Sequence, residues 1–560
     1  TNVDPESIEN VSVLKDASAS AIYGSRAPFG VILITTKQGK RAGTVSIQYT
    51  DNLSSGSAIR HPSHIDSYRW ATVYNQAQAN AGLAPLYSDD QVDRIKGYMD
   101  GSFPYEYDPD NPIDNIWAGR RNGNANNNWA RLLFRDNSFS QKHNINVNGG
   151  NEKNQYYISG GFIEQNGMYK WGNDSYKRYN FLGNVNSTVT PWLTFRSSVK
   201  YASGKTDFPM GETTVGREHT FREILFFAPM MPFHNINGTV QSPLVRLMQD
   251  SGRDLAHIND FFLTLGGELE PITGWKTNFS YNYNNQGRRA TSNPRPVMVE
   301  LGTGEFGNIG KPESVYNSAF SQNIYTLING TTSYENTFNG HYLKVLAGYE
   351  QEYRYTTGIS ASGTGLISDD IVSLSTALGD RTVSDNIAHY ATQGIFGRLN
   401  YNFNEKYLLE VSARYNGSSR FEEGKRWGFF PSASAGYNIA KEDFWAPVEP
   451  YINDLKFRLS YGSLGNQNVA NYQYLPTIPI ANNANWIIDG QRPPMANVPG
   501  IISDDLTWET VTTLNAGVDA HFIQNKLSLN FDWYNRVTSD MLGPAITLPY
   551  PLGGTTPKAN

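Results

Sequence analysis

The chain has 560 residues, a formal net charge of −6 and no cysteine. Without cysteine it forms neither disulfide bridges nor thiolate metal sites, and its net negative charge argues against a nucleic-acid-binding surface. No apolar run reaches the ~18 residues that a membrane helix needs, whereas the 13% of aromatic residues, 34 of them tyrosine, favours strands over helices.

The first 37 residues predict a small unit of mixed helix and strand. Asp4 can cap a helix that begins at Pro5, and a short alternating strand follows it. Residues 16–23 are typical of one or two helical turns that end at Gly24, and the apolar run after Gly30 predicts a buried strand. Because no signal peptide precedes this unit, we expect the chain to be a piece of a longer protein.

From residue 44 onward, apolar and polar residues alternate with a period of two, as in Leu409–Tyr415 and Leu455–Tyr461. About fifteen such segments occur, the first near 44–51 and the last near 525–539. Their connections alternate in length. Short turns are predicted near 150–153, 188–191, 271–274, 336–340, 404–406 and 524–525. Long loops are predicted at roughly 53–139, 164–175, 203–257, 286–319, 357–387, 417–428 and 464–505.

Sorting of connections by length is typical of outer-membrane β-barrels, which have short turns on one side and long loops on the other. Tyr407 and Tyr415 share one strand face eight residues apart, a separation of about 26 Å at ~3.3 Å per residue. Such a spacing approximates an apolar band edged by aromatic residues. A half-buried strand of a soluble protein is the alternative for any single segment. Since bacterial single-chain barrels have an even number of strands, the odd count predicts an incomplete barrel.

The segment ESIENVSVLKDASASAIYGSRAPFGVILITTK at residues 6–37 resembles the final part of the plug domain of SusC/RagA-type TonB-dependent outer-membrane transporters. It departs from that family at 27–29, where a smaller glycine-rich triplet is usual. The segments at 417–437, 455–467 and 506–535 are similar to barrel strands of the same family. The plug-motif residues are Asp16, Tyr23, Gly24, Arg26 and Gly30.

The resemblance implies an all-β fold: a transmembrane antiparallel β-barrel of about 22 strands when complete, about 15 of them here, with the C-terminal part of an N-terminal α/β plug. Residues 1–42 would be the end of the plug and 43–560 the incomplete barrel. It further implies import of an oligosaccharide or a peptide, without enzymatic activity or a cofactor. The implied partners are a SusD-like lipoprotein acting as a lid, TonB with its inner-membrane energising complex, and outer-membrane lipid. A barrel receptor that signals to a regulator, and a soluble β-rich glycan-binding protein or hydrolase, are the alternatives.

Charged residues on the polar strand faces predict a water-filled lumen, because a charge facing lipid costs about 2–4 kcal/mol near the bilayer midplane. Substrate or plug contact is one role for them, and solvated wall positions are the other. The lumen-facing candidates are Arg196, Lys200, Glu410, Arg414, Lys456 and Arg458.

The long loops combine aromatic residues with amides, a composition that suits a sugar ring. The alternative is packing within the loops or against a lid protein. Residues 64–81 and 88–100 have helical spacing, for which packing onto neighbouring loops is weighed against partner docking. The ligand-binding candidates are Trp117, Trp129, Tyr472, Tyr474 and Trp486, and Trp171 shares the same setting.

Other motifs are weak. The glycines at 302, 304 and 307 match a dinucleotide fingerprint in letters but lack a following helix. Asp108, Asp110 and Asp114 are weak calcium candidates, since their spacing departs from an EF-hand loop. His61 and His64 lack a third zinc ligand. We therefore predict no catalytic residue and no metal site beyond that candidate calcium loop.

Overall fold

The computed structural model describes residues 3–14, 24, 30–40, 43–59, 65–110, 123–210, 226–234, 240, 242–300, 304–481, 486–497, 499–503, 505–544 and 558–559. None of the helices in these ranges combines the length and the apolarity needed to cross a membrane.

The N-terminal segment forms a two-stranded antiparallel sheet of β1 (Ile8–Leu14) and β2 (Val31–Thr36). A short 3-10 turn, Pro5–Ser7, precedes it, and the Asp4 side chain accepts a hydrogen bond from the Glu6 amide at its start, as predicted. The expectation that the second strand is buried is wrong, because Ile32 is 67% exposed. Its only described partner is β1, so the face that carries Ile32 stays open to a cavity.

Fifteen further strands form one continuous antiparallel sheet in which each strand pairs with its neighbours in the chain. No described strand pairs with the free edge of the first or of the last of them. These strands are β3 (Ser46–Gly56), β4 (Ser138–Gly150), β5 (Asn154–Asn166), β6 (Ser175–Thr190), β7 (Leu193–Pro209), β8 (Arg253–Ile272), β9 (Trp275–Ser292), β10 (Val315–Phe338), β11 (His341–Thr364), β12 (Arg381–Phe403), β13 (Tyr407–Ser418), β14 (Trp427–Asn438), β15 (Ile452–Asn466), β16 (Glu509–Phe522) and β17 (Leu527–Ser539).

The predicted strand count and the sorting of connections are confirmed. At one end of the sheet, here called the short-turn end, all six predicted turns occur. The turn between β10 and β11 places Asn339 and Gly340 at positive φ, as tight hairpins require. A seventh connection at this end, 439–451, was not predicted and is longer, with two short 3-10 turns. The opposite, long-loop end carries the seven long loops. Strands β10 and β11 have 24 residues each, so the loops beside them are shorter than predicted.

The two faces of the large sheet differ in polarity. On the outer face, Tyr407 stacks on Tyr437 at 5.3 Å near the short-turn end, and Tyr415 stacks on Trp427 at 4.9 Å further up the same two strands. The outward positions of β13 and β14 between these pairs hold only Leu, Val, Ala, Phe and Pro. This arrangement of exposed apolar residues between two aromatic levels matches the surface of a membrane-spanning barrel.

The long loops fold on themselves rather than extending freely. In the described parts of these loops lie four helices: α1 (Ser67–Asn80), α2 (Asp89–Asp100), α3 (Trp129–Leu133) and α4 (Pro243–Asp250). Their buried residues form a loop cluster with the segment 227–233. Ala71 of α1 and Ile95 of α2 are fully buried in it, which confirms the packing of these helices onto neighbouring loops. A second loop cluster surrounds Phe421 and Trp508.

Candidate functional site

The inner face of the sheet receives the N-terminal segment. Asp4 is buried there, where its carboxylate accepts a hydrogen bond from the Asn144 amide at 3.0 Å and lies 3.1 Å from the Lys142 ammonium. A Cβ at position 161 would lie 2.5 Å from the same carboxylate, so Gly161 permits the approach. The segment is also held at its far end, since Asn184 donates to the Lys37 carbonyl at 2.8 Å. Polar residues of β4–β6 therefore hold the two ends of the described N-terminal segment, near Asp4 and near Lys37, against the wall.

Replacing Asp4 with alanine is expected to loosen this docking by about 1–3 kcal/mol. Lys142 loses the nearer of its two carboxylate partners and keeps Glu6 at 3.6 Å, and Asn144 loses one acceptor. Faster amide hydrogen exchange of β1 and β2 measures the effect. The control is Glu9→Ala, since Glu9 is exposed on β1. Equal exchange in both variants would show that Asp4 does not hold the segment.

Arg414 is an almost fully buried charge of the inner wall. Its guanidinium donates to Glu350 at 2.9 Å and to Asn416 at 2.6 Å, and it lies over the Phe396 ring at 4.9 Å. A Cβ on Gly24 would come within 2.5 Å of Arg414 Nε. Since Gly24 also has φ of +65°, this glycine lets the N-terminal segment contact the arginine directly.

Strand pairing places all six lumen-facing candidates on this inner face. Arg196 pairs with Glu268 at 2.7 Å, and Lys200 lies 5.3 Å from the Phe262 ring centre. Arg458 binds Asp519 through two hydrogen bonds of 2.7 and 2.8 Å and reaches Asp532 at 3.0 Å. Glu410 accepts a hydrogen bond from Asn400 at 2.6 Å, and Glu410, Lys456 and Arg458 line a cavity of about 320 Å³. Most of these charges are thus balanced within the wall, and their contact with a substrate stays a prediction.

Two larger cavities also adjoin this wall. One, of about 890 Å³, separates β1 and β2 from β15–β17 and is lined by Arg458, Asp519 and Asp532. The other, of about 610 Å³, lies on β8–β12. It combines rings, amides and charges from Phe262, Asn282, Asn284, Tyr325, Leu327, Glu352, Arg354 and Tyr390. Arg354 lies over the Tyr325 ring at 5.7 Å, and Tyr390 donates to Glu352 at 3.0 Å. An aromatic ring beside amide groups suits a ring-shaped polar ligand.

None of the candidate residues chosen from the sequence lines this second cavity. A signal for it was present in the segment YEQEYRY at 349–355, where Glu350, Glu352 and Arg354 recur with a period of two. Strand pairing places these three residues on the inner face opposite Tyr325 and its neighbours. Which strands lie beside one another is not evident from periodicity, so the convergence of residues from five strands was not predictable in this way.

The loop aromatics have different positions. The prediction of a ligand contact is wrong for Trp129, which is fully buried in the loop cluster and donates its indole N–H to the Ala228 carbonyl at 3.0 Å. Trp171 packs against the same cluster and donates to the Leu132 carbonyl. Tyr474 packs against the second loop cluster, and its ligand contact stays a prediction.

Tyr472 and Trp486 remain ligand candidates from the same loop. Tyr472 accepts a hydrogen bond from the His389 amide at 2.9 Å, which fixes its ring above β12. Trp486 is 56% exposed. Trp117 lies outside the described residues, as do Asp16, Tyr23, Arg26, His61 and His64.

The candidate calcium loop is only partly described. Asp108 accepts a hydrogen bond from the Asp110 amide at 3.1 Å and lies 3.4 Å from Arg94, so its carboxylate already has a cationic neighbour. Asp114 lies outside the described residues. Across the part of the chain that the structure describes, no group of three or more His, Asp or Glu side chains is arranged to hold a metal ion. Calcium binding stays a prediction.

Comparison with known proteins gives concordant matches. The family model "TonB dependent receptor-like, beta-barrel" matches residues 232–560, more than half of the chain. The TonB-dependent receptor SusC of Bacteroides thetaiotaomicron is 27% identical over 96% of this chain and 51% of its own length. TonB-dependent receptor P3 of Formosa agariphila is 26% identical over 96% of this chain and 50% of its own length.

The fold also matches solved structures. That of the RagAB peptide importer in the open-open state aligns with a TM-score of 0.80 at 22% identity, over the whole of this chain and 61% of the other. Its closed-closed state gives a TM-score of 0.81, with 62% of that chain covered. The chain spans about half the length of the curated relatives it matches.

Proposed function

The chain belongs to the TonB-dependent receptor β-barrel family, and on that premise we propose that it forms the wall and part of the plug of an outer-membrane nutrient importer. In this proposal residues 1–42 are the end of the plug and residues 43–560 belong to the barrel. Energy would reach the plug through TonB and its inner-membrane complex. The protein acts as a transporter and not as an enzyme.

The observation that carries this proposal is the contrast between the two faces of the sheet. The outer face offers apolar residues between two aromatic levels, whereas the inner face holds ion pairs and the docked N-terminal segment. A lipid-exposed outside and a polar, partly obstructed inside are what a gated aqueous passage through a membrane requires.

We propose an oligosaccharide as the substrate. The cavity on β8–β12 supports this class, because the Tyr325 ring lies beside the amides of Asn282 and Asn284. Ring stacking with flanking amide hydrogen bonds is a common way to hold a sugar. A peptide is the alternative, as in the RagAB importer that shares the fold. We further propose a SusD-like surface lipoprotein as partner at the long-loop end.

Isolation of the full-length protein from native membranes in mild detergent tests the proposal. We expect heat-modifiable migration on a denaturing gel and a co-purifying lipoprotein. Mass spectrometry of the bound ligand distinguishes the substrate classes. A protein that stays soluble without detergent would contradict the membrane location, and a bound peptide would replace the oligosaccharide.

Tyr325→Ala is expected to weaken ligand uptake about tenfold, the equivalent of about 1.4 kcal/mol, because the cavity loses its central ring. The matched control is Tyr283→Ala, since Tyr283 occupies an outward position on the neighbouring β9. Initial uptake rates in cells that express equal amounts of each variant provide the measurement. If uptake fell equally in both variants, the cavity would not be part of the transport pathway.

A further inference from the structure

The connection between β14 and β15, residues 439–451, differs from the other connections at the short-turn end. Those have two to four residues, whereas this one contains two 3-10 turns, Ile439–Lys441 and Asp443–Trp445. The contacts of its Glu442 carboxylate hold it beside outward residues of β13 and β14.

Glu442 makes these contacts. One carboxylate oxygen accepts hydrogen bonds from the hydroxyls of Tyr407 at 2.9 Å and Tyr437 at 3.3 Å, and the other accepts from the Lys406 ammonium at 3.0 Å. The hydrogen bond from Lys406, and to a smaller extent the one from Tyr407, lowers the pKa of Glu442 below its usual range. Tyr407 and Tyr437 are outward residues and form the lower aromatic level. Glu442 therefore ties the connection to the rim of the apolar band, and the Lys441–Glu405 ion pair at 3.2 Å adds a second tie.

Several backbone groups of the connection form hydrogen bonds within it, while some of its aromatic side chains are exposed. The amides of Trp445 and Val448 donate to carbonyls three residues earlier, and the Trp445 indole donates to the Ile452 carbonyl at 3.0 Å. By contrast, Phe444 is 64% exposed and Tyr451 is 72% exposed. Backbone satisfied internally beside exposed aromatic rings is suited to the boundary between headgroups and acyl chains, where both polar and apolar surroundings are available.

We infer that the 439–451 connection is an interfacial anchor, with Phe444 and Tyr451 inserted at the headgroup–acyl boundary of the leaflet at the short-turn end. The occupant is phospholipid rather than protein, because the anchor continues the apolar outer face at the level of its aromatic rim. Glu442 is the positioning residue that holds the anchor against the barrel. The inference rests on the membrane location proposed above.

Because this chain contains no cysteine, single cysteines can be introduced into it, in a full-length protein in which any cysteine elsewhere is replaced by serine. Phe444→Cys and Tyr451→Cys, labelled with an environment-sensitive fluorophore in the full-length protein, are measured in bilayers of phospholipid brominated on the acyl chains. Val411→Cys, outward between the aromatic levels, is the membrane control, and Glu152→Cys, in the exposed β4–β5 turn, is the water control. We expect quenching at 444 and 451 of at least half that at 411, and almost none at 152.

Each outcome has a separate meaning. Quenching at 411 but not at 444 or 451 would overturn the anchor and indicate a water-exposed surface, open to a periplasmic partner. Absence of quenching at 411 would instead overturn the membrane location itself. In Glu442→Gln, we expect quenching at 444 to fall at least twofold while heat-modifiable migration is retained. Unchanged quenching in this variant would overturn the positioning role of Glu442.

Discussion

Replacement of Trp129 by alanine is expected to open the loop cluster while the fifteen-stranded sheet stays folded. The indole is fully buried, packs edge-on against Phe227 at 5.4 Å and donates a hydrogen bond to the Ala228 carbonyl. Truncation of a buried tryptophan typically costs about 3–5 kcal/mol. Because Trp129 joins the first long loop to the segment 227–233, the loss falls on the contact between these two loops.

Limited proteolysis of the long loops measures this effect. A cost of 3 kcal/mol raises the opened population by about a hundredfold, and the cleavage rate follows when opening is fast relative to cleavage. The matched control is Trp486→Ala, since that side chain is 56% exposed and its removal leaves no cavity. If both variants resisted protease as the wild type does, the loop cluster would not depend on Trp129.

The second large effect is expected for Arg414→Met. This change removes the cation that binds Glu350 at 2.9 Å and leaves that carboxylate, 18% exposed, without its strongest partner. Breaking a buried ion pair from one side costs about 3–5 kcal/mol, and we expect about 2–4 kcal/mol because Glu350 keeps some access to water. The temperature at which the folded protein loses its compact gel migration should fall accordingly.

A double-mutant cycle separates the ion pair from the packing of the arginine. Glu350→Gln combined with Arg414→Met removes both charges, so the double variant should be more stable than Arg414→Met alone by 1 kcal/mol or more, at about the scale of coupled neighbours. Strict additivity of the two single changes would show that the pair contributes no coupling, and that the cost arises from the lost contacts with Phe396 and Asn416.

Much of the large sheet could be predicted from the sequence because apolar and polar residues alternate within each strand. The turns at 339–340 and 404–406 follow from that pattern and from their turn residues. Strand length was underestimated because β10 and β11 continue through Ser, Thr and Gly, whose small side chains fit equally well in a strand or a loop.

The candidate site was harder to predict for a physical reason. Arg414 was assigned to the inner face correctly, but its contact with Gly24 joins positions 390 residues apart and depends on the docking of a separate sheet. Trp129 was predicted to contact a ligand because it follows asparagines in a long loop, and the local sequence is therefore polar. Only the other loop, which supplies Phe227 and the Ala228 carbonyl, makes it a core residue.

Strand β11 pairs with both neighbours in an uninterrupted register. Deletion of one residue between His341 and Lys344 would exchange the two faces of every later position in that strand. Glu350, Glu352 and Arg354 would then turn to the apolar outer face, and Tyr349 and Tyr353 would turn to the polar inner face. Homologous chains are therefore expected to differ in length mainly within their loops. Within a strand, insertions should come in pairs of residues, and a single inserted residue should occur only at a turn or at a β-bulge that accommodates it.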